Sequence, residues 1–373
     1  MGEQAGSGGE AAGTTAASAA GAERILYADL LRIVAIAAVV SLHVAAGLAA
    51  SFGTVPRSWW WAGHVFDALS RWSVGVFIMI SGVLLLGHGR DLPIGQFMRK
   101  RMAKVLVPYV VWVAVFVVWK TWVLHRPFSW PGAISDFFRG KTFYHFWFVY
   151  VILGLYIIAP VLRVYVRNAS ESNLWYLVGV WFVYLSVTHV CRRFLNLDIA
   201  LNVELAGGYA GYFVLGYVLD RVEAPVRFRP AVYGLAAAAA IVTVWGTYRL
   251  TEIKGSLDQY LYEYLSPNTI IIAAAIFMAF RYVHWDRVFS GARSVGVITA
   301  LSGASFGIYL VHPMVLWALG TDGVGAILGA PISAQLFDQP GIGIPVTLLI
   351  TLGVSLAIVQ LLRRIPLGRY IVP

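Results

Sequence analysis

The sequence predicts an all-α, polytopic integral membrane protein with about ten transmembrane helices and both termini cytoplasmic. Of 373 residues, 59% are hydrophobic and only 12% are charged, whereas a soluble domain carries about a quarter charged residues. Several apolar runs reach the roughly 20 residues that a helix rising about 1.5 Å per residue needs to cross about 30 Å of hydrocarbon. Lys and Arg also alternate between the connections in the way that fixes membrane orientation, since they are retained on the cytoplasmic side.

The runs are, in order, about 25 to 49, 65 to 87, 103 to 124, 144 to 166, 174 to 190, 206 to 220, 231 to 250, 266 to 283, 299 to 319 and 344 to 362. The sixth is short and Gly-rich. With the N-terminus inside, the inner segments hold 17 cations: Arg24; Arg90, Arg99, Lys100, Arg101 and Lys104; Arg163 and Arg167; Arg221, Arg227 and Arg229; Arg281, Arg287 and Arg293; Arg363, Arg364 and Arg369. The outer segments hold eight: Arg57, Arg126, Arg139, Lys141, Arg192, Arg193, Arg249 and Lys254. Arg32, Arg71 and Lys120 lie within runs.

Residues 1–22, "MGEQAGSGGEAAGTTAASAAGA", lack an apolar core and the basic start of a signal peptide. They are expected to form a disordered cytoplasmic tail, with 23–373 as one transmembrane domain. The net charge of +10 is spread over inner loops as topology requires, so no nucleic-acid partner is expected. The single cysteine, Cys191, excludes an intramolecular disulfide and any thiolate metal cluster, and no two histidines share metal-ligating helical spacing, so no metal site is expected. "GASFG" at 303–307 matches a nucleophile elbow, but at the start of a membrane span it reads as small residues for close helix packing. "GKT" at 140–142 lacks the first glycine of a phosphate loop, which is Ser135 here.

"LLRIVAIAAVVSLHV" (30–44) carries Arg32 near one end and His43 near the other. Eleven residues turn a helix by three turns plus about 20°, so the two share one face about 16 Å apart along the axis. Singly, Arg32 could snorkel to lipid phosphates, paired with Asp29, and a lone His could be a packing residue. Ionisable residues in spans are nevertheless costly and mark function. "FMRKRMAKVLVPY" (97–109) adds Arg99, Lys100, Arg101 and Lys104 at the mouth of the third run, a density suited to phosphates. Toward the outer side the topology gathers His43, Asp67 with Arg71 four residues on, His145, His189, Glu204 and His312, with Tyr144, Trp147 and Tyr150. Such a polar pocket with stacking faces suits a sugar acceptor.

Several of these segments together resemble the acyltransferase 3 family. "LYADLLRIVAIAAVVSLHV" is similar to its first-helix signature, a basic residue, ten residues and a histidine, carried here by Arg32 and His43. "RWSVGVFIMISGVLLL" (71–86) resembles its second span, "FMRKRMAKVLVPY" its R-x-x-R-like segment with Lys104 as the second cation, and "SFGIYLVHP" (305–313) its penultimate span. "HFWFVYVILGLYIIAPVL" (145–162) is similar to the branch that O-acylates surface polysaccharides. Gly75 stands where relatives often have a proline, and the H-x4-D pattern of soluble glycerolipid acyltransferases is missing.

The resemblance implies a multi-pass enzyme of the cell (plasma) membrane. It would move an acyl group, commonly acetyl, from cytoplasmic acetyl-CoA or another acyl-CoA to a hydroxyl of a glycan or glycolipid acceptor, among membrane lipids and with a homo-oligomer left open. On that reading Arg32, Arg99, Arg101 and Lys104 hold the CoA phosphates, neutral His43 is the general base, and Arg71 steadies the oxyanion. Asp67, His145, Trp147, Tyr150, Glu204 and His312 contact the acceptor. A transporter or flippase for lipid-linked glycans is the alternative, since ten spans suit two inverted repeats and Pro108, Pro160, Pro267 and Pro313 could break helices around a central site.

Overall fold

The computed structural model describes residues 25–88, 92–199, 208–328 and 330–373. The N-terminal tail, Arg90 and Glu204 lie outside the described residues. Within them the chain is helical, with no strand. The order is α1 (Leu26–Ala50), α2 (Arg57–Ala68), α3 (Trp72–Gly82), α4 (Ile94–Trp122), α5 (Trp130–Phe138), α6 (Trp147–Asn168), α7 (Glu171–Val190), α8 (Ala210–Arg221), α9 (Arg229–Ile241), α10 (Thr247–Lys254), α11 (Pro267–Tyr282), α12 (Trp285–Val288), α13 (Ala292–Leu319), α14 (Asp322–Leu328), α15 (Pro340–Arg364) and α16 (Gly368–Ile371).

Among the described residues, nine helical stretches are long and apolar enough to cross a membrane: Leu26–Ala50, Arg57–Gly87, Ile94–Trp122, Trp147–Asn168, Glu171–Leu195, Val226–Lys254, Tyr260–Tyr282, Ala292–Leu319 and Pro340–Arg364. The sixth run, which is not among these nine, corresponds to α8, whose 12 described helical residues span only about 18 Å. Its residues Tyr212 to Leu219 are all buried, as expected of a helix apolar on every side. Glycines permit that enclosure. A Cβ on Gly216 would stand 2.2 Å from the backbone oxygen of Met79, and one on Gly82 would stand 1.8 Å from that of Phe213, so α3 and α8 meet backbone to backbone. Gly75, where relatives often have a proline, is a packing contact, its Cβ site 2.6 Å from the Tyr212 ring.

The second span begins at Arg57 rather than near 65 and is broken at Leu69–Arg71 between α2 and α3. Backbone groups freed inside a membrane must be satisfied within the protein. Here side chains do it: Ser70 donates to the Phe66 carbonyl (2.7 Å), Trp72 to that of Leu69 (2.7 Å) and Ser73 to that of Ser70 (2.8 Å). At the end of α3 the helix widens to a π turn over Val83–Gly87. Its loosened carbonyls receive arginines from α6: Arg163 reaches Leu85 (2.8 Å), and Arg167 reaches Leu86 (3.2 Å) and Gly87 (3.3 Å).

α1 is the axis of the bundle, packing against α2, α3, α11, α13 and α15. Leu31, Ala35, Val40, Ala45 and Ala49 along it are wholly buried. α7, by contrast, buries only Leu174, Val178 and Trp181 and stands at the periphery. The C-terminal segment folds back to the Arg32 end of α1: Arg363 donates to the carbonyl oxygens of Gly303 (2.7 Å), Val372 (2.9 Å) and Pro373 (2.6 Å). Both ends of the transmembrane domain therefore reach one face, as the even number of runs requires.

The close approach of α3 and α8 makes a specific demand on Gly216. Gly216→Val is expected to cost about 1–3 kcal/mol or more by overpacking. Gly154→Ala in the interior of α6, where a Cβ meets nothing within 4 Å, should cost nothing and stabilise by up to about 1 kcal/mol. Thermal unfolding of the two purified proteins checks the contrast, and equal midpoints would refute the packing assignment.

Candidate active site

One face of α1 lines an interior cavity of about 470 Å³ walled also by α3, α4, α6, α13 and α15. Arg32, Lys104 and Arg363 stand at one end, and His43, His145, Trp147, Tyr264 and Tyr309 at the other. Apolar side chains, among them Val39, Leu42, Phe77 and Ile152, line the stretch between. The eleven-residue spacing on α1 separates the cationic and imidazole ends by about 16 Å.

Arg32 is positioned from two helices. Its Nη1 donates to Ser302 Oγ on α13 (3.1 Å) and lies 3.6 Å from Asp29, and the Ser302 hydroxyl donates to Asp29 Oδ1 (2.6 Å). The pairing with Asp29 read from the sequence is thus present, yet the Arg32 side chain keeps 27% exposure at the cavity. On α4, Arg101 is half-buried, 6.0 Å from the Phe97 ring, and the cavity-wall Tyr156 lies within electrostatic range of both Arg101 and Arg32. Arg99 is exposed and is not part of the cavity wall.

At the other end three imidazoles converge. His43 stacks on His312 with ring centroids 5.3 Å apart and an interplanar angle of 24°, and packs on Tyr144 at 4.7 Å. His312 is fully buried, and its Nδ1 lies 2.8 Å from the Tyr309 carbonyl. A carbonyl can only accept, so Nδ1 carries the proton and neutral His312 keeps its lone pair on Nε2. That Nε2, like both ring nitrogens of His145, is buried with no hydrogen-bond partner among the described residues. The His145 ring lies 5.7 Å from that of His312 and 5.0 Å from that of Tyr309, whose hydroxyl donates to the His145 carbonyl. Trp147 stacks on Tyr264 at 5.3 Å and forms an aromatic wall beside them.

Other residues singled out from the sequence are not part of the cavity wall, although Arg71 lies within electrostatic range of His43. Asp67 is 1% exposed and binds Arg71 in a two-pronged ion pair, Nε to Oδ1 at 2.7 Å and Nη2 to Oδ2 at 2.9 Å. The Arg71 guanidinium lies 4.4 Å from the Tyr262 ring centroid and 5.8 Å from that of Tyr264, and neither member of the pair is part of the cavity wall. The i,i+4 spacing that made the pair visible in the sequence is what turns Arg71 toward its own helix pair. Tyr150 is also off the cavity: its hydroxyl donates to the Phe137 carbonyl and its ring packs on Gly140. His189 stacks on Tyr260 at 4.0 Å, apart from the imidazole cluster. Glu204 lies outside the described residues.

Four residues of the site carried no functional signal in the sequence. Ser302 was unmarked, Tyr309 lay within the "SFGIYLVHP" stretch from which only His312 was drawn, Arg363 counted only toward orientation, and nothing marked Tyr264. In "GASFG", Gly303, Ser305 and Phe306 belong to the cavity wall, but the Ser305 hydroxyl is spent on the Ser302 carbonyl, and a Cβ on Gly307 would stand 2.8 Å from Val359, so the segment is a packed helix and not a nucleophile elbow. Although three imidazoles converge, no group of three or more His, Cys, Asp or Glu side chains is placed to hold a metal ion among the described residues.

Ser305→Ala should therefore keep full activity and cost about 1 kcal/mol of stability at most, where a serine nucleophile would lose about 10⁶-fold in turnover. Asp67→Asn leaves Arg71 buried opposite a neutral amide and is expected to cost about 3–5 kcal/mol. Thermal unfolding measures the second effect, and an unchanged midpoint would contradict the ion pair.

No curated protein and no solved structure matches the chain. The profile of the acyltransferase 3 family, described as an acyltransferase domain, matches residues 25–364. That region contains α1 through α15 and every cavity residue except Pro373, and the chain belongs to this family of membrane acyltransferases.

Proposed function

We propose that the protein is an O-acyltransferase of the plasma membrane that takes an acyl group, acetyl in the first instance, from a cytoplasmic acyl-CoA and transfers it to a hydroxyl of a cell-surface glycan or glycolipid. The observation that carries this reading is the single cavity with cations at one end and imidazoles at the other. Phosphates of the donor rest on Arg32 and Lys104, with Arg101 close by, because guanidinium and ammonium groups form charge-assisted hydrogen bonds to phosphate oxygens. The extended pantetheine arm is comparable in length to the Arg32–His43 separation, so the thioester arrives beside His43.

A sugar hydroxyl is too weak an acid to attack a thioester unaided at neutral pH. His43 takes its proton as the oxygen attacks the thioester carbonyl. The C–S bond then breaks, the new ester stays on the acceptor, and the proton passes from His43 to the departing CoA sulfur. His312 stacks behind His43 and holds its ring plane. Arg71 touches neither reactant in this scheme. It is a positioning residue that supports Tyr264, while Trp147 and Tyr264 offer the flat faces on which a sugar ring stacks.

The test is release of CoA thiol by purified protein given acetyl-CoA and a panel of glycan acceptors. His43→Gln should lower turnover by about 10²–10⁴-fold while acetyl-CoA binding persists. Arg32→Ala should weaken donor binding by about 1.5–3 kcal/mol, roughly 10- to 150-fold. Wild-type turnover in His43→Gln would remove the base assignment, and absence of acetyl-CoA binding by the wild-type protein would remove the reading itself.

A further inference from the structure

The face of the bundle that holds the Arg32 end also contains a second cleft, of about 700 Å³, which shares no residue with the acyl-transfer cavity. It opens where α1 begins and where α3, α6, α8 and α11 run out, with Tyr27, His88, Arg167, Asp220, Arg221 and Arg281 in its wall. Tyr27 and Arg32 are five residues apart on α1, which places them about 140° apart around the helix. The two clefts therefore lie on different flanks of α1.

Asp220 organises this wall. Its carboxylate accepts from the Tyr27 hydroxyl and lies 2.9 Å from His88 Nε2 and 3.5 Å from Arg281 Nε. Arg281 also donates to the Asp220 carbonyl (3.3 and 3.2 Å), which fixes its fork on α8. Arg221, the next residue, is held differently: Nη1 donates to the Tyr217 hydroxyl at 2.7 Å. A hydroxyl orients the guanidinium and leaves its charge uncancelled. Inner-loop arginines kept only for orientation would extend into water; Arg167 and Arg281 are half-buried and braced by carbonyl and carboxylate partners, and the exposed Arg221 is turned onto the same concavity by the Tyr217 hydroxyl.

We infer that this cleft is a second ligand site that takes a phosphate-bearing ligand. Arginine forks placed by neighbouring groups match phosphate oxygens in paired hydrogen bonds. The volume falls within the range of about 300–1,000 Å³ usual for small-molecule sites, so it admits a phosphate together with an organic group. The phosphate can come from a soluble ester or from a lipid headgroup, and one set of measurements separates the two. The inference rests on residues that the proposed acyl transfer does not use.

Thermal unfolding of the full chain tests it with two probes: inorganic pyrophosphate added in detergent, and nanodiscs of phosphatidylcholine with and without phosphatidylglycerol. One probe should raise the unfolding midpoint of the wild type and of Arg32→Ala, and the rise should be lost in Arg221→Gln. A rise with pyrophosphate identifies a soluble ligand, and a rise with phosphatidylglycerol alone identifies a headgroup. Should Arg221→Gln fail to fold, Tyr217→Phe, which removes only the hydroxyl holding Arg221, should diminish the rise. Equal rises in wild type and both variants, or no rise in the wild type with either probe, would overturn the site. Arg221→Gln should also bind acetyl-CoA as the wild type does; loss of that binding would make the cleft part of the donor site and overturn its independence, whereas failure of acyl transfer itself would leave it untouched.

Discussion

A cation and an imidazole eleven residues apart on one apolar helix are tolerable in hydrocarbon only if the chain encloses them, because unpaired charge and unsatisfied polar groups there cost several kcal/mol. α1 meets this constraint largely through α13. Near the inner end Arg32, Asp29 and Ser302 form one rung, and deeper in the bundle His43 and His312 form a second. The rungs are eleven residues apart on α1 and ten apart on α13. Equal rise at both ends of the pair is what two parallel helices in register provide, and antiparallel helices could not place both rungs. The register of α1 against α13 thus sets the height of both ends of the cavity, and the remaining walls close around it.

Irregular backbone serves the same end. The break at Leu69–Arg71 lets the second span redirect itself while Ser70, Trp72 and Ser73 satisfy the exposed carbonyls. The π turn over Val83–Gly87 frees carbonyls that bind Arg163 and Arg167. Arg163, which charge counting treats as an orientation signal, is 9% exposed and works as a brace between α3 and α6. Positive-inside bias and structural bracing are therefore carried by the same residues, and a density of basic side chains on one face says little about their role until their partners are seen.

That distinction explains which parts of the molecule were legible in the sequence. Hydropathy gave nine of the ten spans, because apolar length is a local property, and helix periodicity gave the shared face of Arg32 and His43 for the same reason; the short Gly-rich run proved to be a buried helix of 12 described residues, too short to count as a span among them. The start of the second span at Arg57 was missed because "RSWWWAGHVFDA" mixes Arg, His and Asp with tryptophans and lowers its local hydropathy. The Asp67–Arg71 pair was visible as a spacing, but spacing does not reveal that Tyr262 and Tyr264 stand beside it. Tyr150 turned to Phe137, and Tyr309 and Arg363 entered the site, through contacts between residues far apart in the chain. Periodicity fixes which way a side chain faces along its own helix; only the packed bundle fixes what it faces.

The cavity's middle bears on the chemistry as much as its ends. In the proposed reaction a thioester must wait beside a base without being hydrolysed, and water would compete for the same proton acceptor as the sugar hydroxyl. Val39, Leu42, Phe77 and Ile152 keep the wall largely apolar, with Ser81, Tyr156 and Ser305 as its scattered hydroxyls, and a water molecule stays only where it finds two to four polar partners. Polar partners reappear at His43, His145 and Tyr309, where an acceptor hydroxyl would sit. In the proposed reaction a largely apolar stretch between the cationic mouth and the imidazole cluster would serve transfer better than hydrolysis, because it would carry the acyl group with little water alongside to the imidazoles that activate the hydroxyl.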